Sequence, residues 1–209
     1  MIDIFDDKVD LKKITCHSGG AIGSDTVWEQ EGSLFGVDTK AYSYKTKKHK
    51  SPNKVEISDA DYNEGVLEIN KANKILSRFG INRFMNLLAR NWAQVKYSDE
   101  VFAIGYIIEP GKKSQKGYYN KSKQQTVDGG TGYAVQMAIN NNKTVFVFDQ
   151  SKDSWFRWSY TTESFIIYEK KLRISKNNFA GIGTRDIKDN GIEAIRNIYI
   201  KTFENENIF

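Results

Sequence analysis

Apolar positions in this chain fall into two patterns that alternate along it. Ile14 to Cys16, residues 99–107 and residues 144–149 are almost continuously apolar, as strands buried on both faces are. Between them lie stripes with helical spacing. Residues 82–95 place Phe84, Leu87, Leu88, Trp92 and Val95 on one face, and residues 186–204 do the same with Ile187, Ile192, Ile195, Ile198, Tyr199, Thr202 and Phe203. Ser58-Asp59-Ala60-Asp61 supplies a capping oxygen and first-turn acids for a helix running to Leu76. Residues 39–44 alternate as a second strand, and the aromatic segments 155–160 and 165–168 alternate as short edge strands. Apolar strands separated by helices predict right-handed crossovers and a parallel sheet. The expected fold is α/β: a Rossmann-like, mostly parallel sheet with helices on both faces. Nothing resembles a linker, so residues 1–209 read as one domain with an aromatic strand excursion near 151–175. The polar residues 112–125 predict a further excursion or long hairpin tip.

Glycine-rich turns break this pattern three times. Cys16-His17-Ser18-Gly19-Gly20-Ala21-Ile22-Gly23-Ser24-Asp25 joins the first apolar run to a helical segment at 25–30. Val127-Asp128-Gly129-Gly130-Thr131-Gly132 leads into an apolar helix containing Tyr133, Ala134, Met137 and Ala138, and Phe179-Ala180-Gly181-Ile182-Gly183-Thr184-Arg185 leads into the last helix. A strand that turns through glycines into a helix presents backbone N–H groups at the positive end of the helix dipole, where an anion can sit. In an open parallel sheet such turns meet at the carboxyl ends of the strands, so three of them can line one crevice. Taken singly, each is also readable as a tight turn and nothing more.

Charge fits an anionic ligand without demanding a polymer: 31 Lys and Arg against 26 Asp and Glu leave +5. Lys45-Thr46-Lys47-Lys48-His49-Lys50 is the one local basic cluster, either a solvated loop or a flap over an anionic ligand. One cysteine leaves no internal disulfide to form, no apolar run approaches the length of a membrane span, and Met1 to Asp7 is too acidic for a secretory signal. A cytoplasmic protein is expected, with no membrane contact.

Catalytic chemistry is poorly provided for. No glycine turn carries the Walker Gly-Lys-Ser/Thr, which argues against ATP hydrolysis of that kind. Two histidines, His17 and His49, and one cysteine make no metal set, so no metal or cofactor is expected. Cys16 and His17 are adjacent on a strand and face opposite ways. Asp25 either caps a helix start or bonds ribose hydroxyls, and Asp128 is the substitute acid beside the second turn. Arg83 and Arg90, seven residues apart, project from nearly the same side of a helix. Both suit a solvated face, and Arg83 near the helix start also suits a phosphate. Arg185 either neutralises a phosphate or is simply exposed. The aromatic strands suit core or dimer packing, or a platform for a base, and a homo-oligomer is expected because they need cover.

Ser18-Gly19-Gly20-Ala21-x-Gly23-x-Asp25 and Asp128-Gly129-Gly130-Thr131-Gly132-Tyr133-x-x-Gln136, with the buried strands around them, resemble the SLOG superfamily of Rossmann-like domains. That group includes LOG-type phosphoribohydrolases and DprA-like proteins. The resemblance runs from about Ile14 to Asp149, with the Gly-Ile-Gly-Thr-Arg segment as a further wall of the pocket. It implies a nucleotide site formed by Ser18, Gly19, Gly20, Gly23, Asp25, Asp128, Gly129, Gly130, Thr131 and Gly132, to which the reading of the third turn adds Gly183, Thr184 and Arg185 and that of the helix start adds Arg83. The hydrolytic branch carries Pro-Gly-Gly-x-Gly-Thr-x-x-Glu, and its glutamate is catalytic. Here Asp128, Tyr133 and Gln136 replace the proline, threonine and glutamate, and an amide cannot serve as a general base. The resemblance therefore implies binding of a phosphorylated nucleoside-type molecule, ADP-ribose or a cyclic ADP-ribose-like signal, without turnover and with no catalytic residue. Other branches resemble sensors of such signals in bacterial anti-phage defence, so a sensor or a phage sponge is the expected role. LOG-type N-glycosidase activity through Asp25 or Asp128 is the alternative. Single-stranded DNA binding of the DprA-like kind is a second alternative, and the sequence shows no basic stripe for it.

Overall fold

The computed structural model describes residues 9–47, 49 and 51–204. Lys48 and Lys50 of the basic cluster, and the acidic first residues, lie outside them.

Eight strands form one sheet in the order β3-β2-β1-β10-β4-β7-β8-β9. They are β1 (Thr15–Ser18), β2 (Asp38–Ser43), β3 (Lys54–Glu56), β4 (Glu100–Gly105), β7 (Thr144–Asp149), β8 (Ser154–Ser159), β9 (Ser164–Ile167) and β10 (Asn178–Gly183). A separate antiparallel pair is made of β5 (Ile107–Ile108) and β6 (Thr126–Val127). From β3 across to β7 every neighbour is parallel, and β8 and β9 extend that edge antiparallel. The fold is α/β and Rossmann-like, as expected, and the aromatic excursion is the β8–β9 hairpin at the sheet edge.

Helices cover both faces, and the strands sort their side chains between them with a period of two. Along β4, Val101 and Ala103 face one core while Phe102 and Ile104 face the other. In β7 the corresponding sets are Val145 with Val147, and Phe146 with Phe148. The first core is closed by α2 (Asp59–Leu76), α3 (Met85–Lys96) and α4 (Thr131–Asn140). The second is closed by α1 (Ser24–Leu34) and α5 (Asp189–Phe203), where Trp28 meets the rings of Phe102, Phe179 and Tyr199. Ser58 accepts from the Asp61 N–H and starts α2 at the expected place.

Two expectations change. Residues 179–183, read as part of a glycine turn, belong to the central strand β10, and only Thr184 onward is a turn. Glycine serves close packing here: a Cβ on Gly181 would lie 2.6 Å from the Trp28 ring. In addition, residues 82–95 are not one helix. A 3-10 turn covers Ile81–Phe84 and α3 begins at Met85, which leaves Phe84 exposed while Leu88, Trp92 and Val95 are buried.

Candidate functional site

The carboxyl ends of β1, β10 and β4 are adjacent, because β10 lies between the other two. The first and third turns are fused there. Both the N–H and Oγ of Ser24 donate to the Thr184 carbonyl, at 3.1 and 2.8 Å. Gly23 has φ of 108°, and a Cβ on it would lie 2.5 Å from the Arg185 carbonyl oxygen, so the two backbones touch only because this residue is glycine. Ser18 is fully buried and donates to the Asp25 carbonyl. Gly183 packs on Ser24, while the side chain of Arg185 is exposed.

Asp25 does not point to solvent. Its carboxylate turns under the first loop, accepts from the Ala21 N–H at 3.4 Å, and pairs with Arg90 Nη1 at 3.4 Å. Arg90 in turn donates to Gln94 Oε1 at 2.8 Å and lies directly beneath Gly19, where any Cβ would collide with the guanidinium. Both ionised groups are more than nine-tenths buried. Burial raises the Asp25 carboxyl, and the Arg90 guanidinium and the Ala21 and Gly183 N–H groups hold it down in part. The first turn thus carries an internal anion of its own. Over it sits His49, whose Nε2 donates to the Gly19 carbonyl at 3.1 Å, while Ser51 and Asn53 of the same loop both donate to Glu29. The loop after β2 is therefore docked on the first turn.

The second turn keeps donors open. The Asp128 N–H is used by the Tyr106 carbonyl and that of Gly129 by the Tyr118 hydroxyl, whereas those of Gly130 and Thr131 donate to nothing among the described residues. These two stand at the start of α4, where the N-cap Gly130 is exposed and Thr131 is buried. Arg78 clamps the outer side: Nη1 donates to the Gly129 carbonyl at 2.6 Å and Nη2 to the Val127 carbonyl at 2.5 Å, with the Tyr133 ring 5.5 Å from the guanidinium carbon. Gly132 leaves no room for a Cβ between the Val127 carbonyl and Arg78. Asp128 accepts from Tyr118; burial raises its carboxyl, opposed by the Gly129 N–H, Arg78 and Lys116. Asn91 donates to the Gly130 carbonyl at 3.2 Å.

Gln136, where the resemblance puts a glutamate, is buried and bonded at both ends of its amide. Its Oε1 accepts from Gln124 and its Nε2 donates to Asn140. Arg83 lies in the 3-10 turn before α3, exposed, with its guanidinium over the Phe84 ring at 4.7 Å, so the structure does not bring it into the crevice with the turns. His17 is buried between Tyr42 and Asn178, and burial lowers its pKa. Among the described residues no three His, Cys, Asp or Glu side chains are grouped to hold a metal.

Sequence reasoning missed Arg78, Asn91, Tyr118 and the inward role of Arg90. Only Arg90 had a signal: with Gln94 and Asn91 it makes a polar strip on a helix whose other side is apolar. No family model, curated protein or solved structure matches the chain.

Proposed function

We propose that the crevice binds a phosphorylated nucleoside-type small molecule of the ADP-ribose or cyclic ADP-ribose-like class and holds it without turnover, as a sensor or a sequestering protein. The observation that carries this reading is the second turn. Gly130, exposed, and Thr131, buried, have adjacent N–H groups without a partner among the described residues at the start of α4, where the helix dipole favours an anion. The clamp from Arg78 fixes the carbonyls of the same turn and adds positive charge beside it.

Each turn then has a separate part. The first is already neutralised by Asp25 and Arg90, which suits it to the uncharged ribose and base end, and the second takes phosphate. Gln136 supports binding over cleavage, since both ends of its amide are engaged and neither can move a proton. Denaturing the purified protein and identifying released small molecules by mass spectrometry, then titrating ADP-ribose, cyclic ADP-ribose isomers and AMP by calorimetry, tests the reading. A bound phosphorylated nucleoside, with no free base formed at high protein concentration, is expected. Release of base from a nucleoside monophosphate, lost in Asp128→Asn, would replace it with LOG-type hydrolysis. No binding across the panel would remove it.

A further inference from the structure

The chain between β5 and β6 folds into a hairpin that leans on the second turn. Its ladder runs through the Gly111 N–H to Asn120 carbonyl bond, the Asn120 N–H to Lys112 carbonyl bond, the Lys113–Tyr119 bridge and the Ser114 N–H to Tyr118 carbonyl bond. The Gly117 N–H closes the tip on the Ser114 carbonyl. The base is fixed: Asn120 is buried and donates to the Ile108 and Gln124 carbonyls, while Gln125 Nε2 donates to both oxygens of Glu109. The tip is built differently. From Gly111 to Tyr119 only Ser114 is buried, so no buried apolar side chain ties this part to the body. Segments held by few apolar contacts are those that open locally at small cost.

What the tip does touch is the second turn. The Tyr118 hydroxyl donates to the Asp128 carboxylate and accepts from the Gly129 N–H at 2.9 Å, with its ring 5.9 Å from the Arg78 guanidinium carbon. Gly129, Gly130 and Thr131 carry three consecutive N–H groups. The hydroxyl takes the first, and the other two have no partner among the described residues. A neutral hydroxyl is a weaker acceptor than a phosphate oxygen, so an anion entering this row competes with it successfully.

We propose that Tyr118 is a latch: its hydroxyl holds the Gly129 position of the row in the free protein, and a ligand phosphate displaces it, swinging residues 111–119 away from the turn. This rests on the reading of the second turn as the phosphate position. The latch weakens apparent binding by the fraction of molecules that are open. In the bound state Asp128 has lost Tyr118 whether residue 118 is tyrosine or phenylalanine. The bound states of the two proteins therefore match, and a difference in affinity measures the latch alone.

Two measurements on the full chain test this. Limited trypsin digestion read by mass spectrometry follows cleavage after Lys116, at the hairpin tip. Tyr118→Phe removes a hydrogen bond to a charged group and is expected to speed this cleavage about tenfold or more at an unchanged melting temperature. In calorimetry the same variant should bind ADP-ribose more tightly by a similar factor, because both readouts scale with the open fraction. Under saturating ADP-ribose the two proteins should be cut at one rate, above that of the free wild type. Tyr119→Phe removes a hydroxyl that bonds nothing among the described residues and should match the wild type throughout. Equal cleavage of the free proteins, protection of Lys116 by ADP-ribose, or an unchanged dissociation constant in Tyr118→Phe would each overturn the latch and leave the phosphate reading standing. Absence of ADP-ribose binding in both proteins would remove that reading and the latch with it.

Discussion

Arg90 and Asn91 stand side by side on α3 and hold different walls of the crevice: Arg90 pairs with Asp25 under the first turn, and Asn91 donates to the Gly130 carbonyl at the second. With the third turn bonded to the first through Ser24 and Thr184, this one helix fixes the spacing of all three.

Removing the Arg90 charge leaves the buried Asp25 carboxyl without its cation. Arg90→Met is expected to destabilise the fold by about 3–5 kcal/mol at pH 8, read from urea denaturation. The folded-state pKa of Asp25 lies above its unfolded value of about 3.9, and without arginine it rises further. A raised carboxyl pKa favours folding most when the group is protonated, so the deficit of the variant should shrink as pH falls from 8 toward 5. A deficit that does not change with pH would show that Asp25 is not the charge at stake.

Gly23→Ala combines a disfavoured positive φ with a backbone clash against Arg185. It should cost about 2–5 kcal/mol from strain and overpacking together. Gly36→Ala, also at positive φ but with open space around it, should cost about 1–3 kcal/mol, the strain alone. Equal losses for the two would mean that the contact between the first and third turns contributes little.

Asp128 places a carboxylate beside the proposed phosphate position, and burial raises its pKa against Gly129 N–H, Arg78 and Lys116. Its negative charge therefore fades as pH falls toward a folded pKa above the usual carboxylate value, and repulsion of a ligand phosphate fades with it. Binding of ADP-ribose, a pyrophosphate diester, should tighten between pH 7 and 5 in calorimetry. Asp128→Asn should bind more tightly at pH 7 and lose this dependence; a variant that keeps the wild-type profile would assign it to another group.

His49 joins the loop after β2 to the first turn through Nε2, while its Nδ1 is buried without a partner among the described residues. Protonation would place an unsatisfied N–H there, and burial holds the folded pKa below the ordinary histidine value. A histidine with a depressed folded pKa gives its full stabilisation at high pH and loses it below the unfolded value of about 6.5. Amide exchange at Ser51 and Asn53, corrected for intrinsic rate, should rise as pH is lowered from 7 to 5. In His49→Ala it should be fast at both.

Much of the fold was readable because its signals are local. Ser58 is a cap with its bond three residues away, and β7 follows the apolar run 144–149 residue for residue. β10 was hidden because Gly181 and Gly183 look like turn chemistry until Trp28 and Ser24 are seen pressing against them. Of the site, the glycines were legible and their partners were not. Arg90 and Asp25 are 65 residues apart, Arg78 and Gly129 51, and Asn91 and Gly130 39. No periodicity connects such pairs. Arg83 and Arg90, alike in spacing arguments, end in opposite environments because the chain leaves 3-10 geometry for the α-helix between them, at Met85.

The position of β10 also bears on how the molecule assembles. The strand laid down last in the chain is the one between β1 and β4, and Glu100 at the start of β4 anchors its approach by accepting from the N–H groups of Ser175 and Lys176. Until residues 178–183 are made, strands β1–β3 and strands β4 and β7–β9 are two half-sheets, each with a bare central edge. Closure joins Thr15 to Asn178, a contact of high sequence separation whose loop entropy slows folding. The crevice cannot exist before that step, since its middle wall is the end of β10. A growing chain would thus lack the crevice until residues 178–183 have been added.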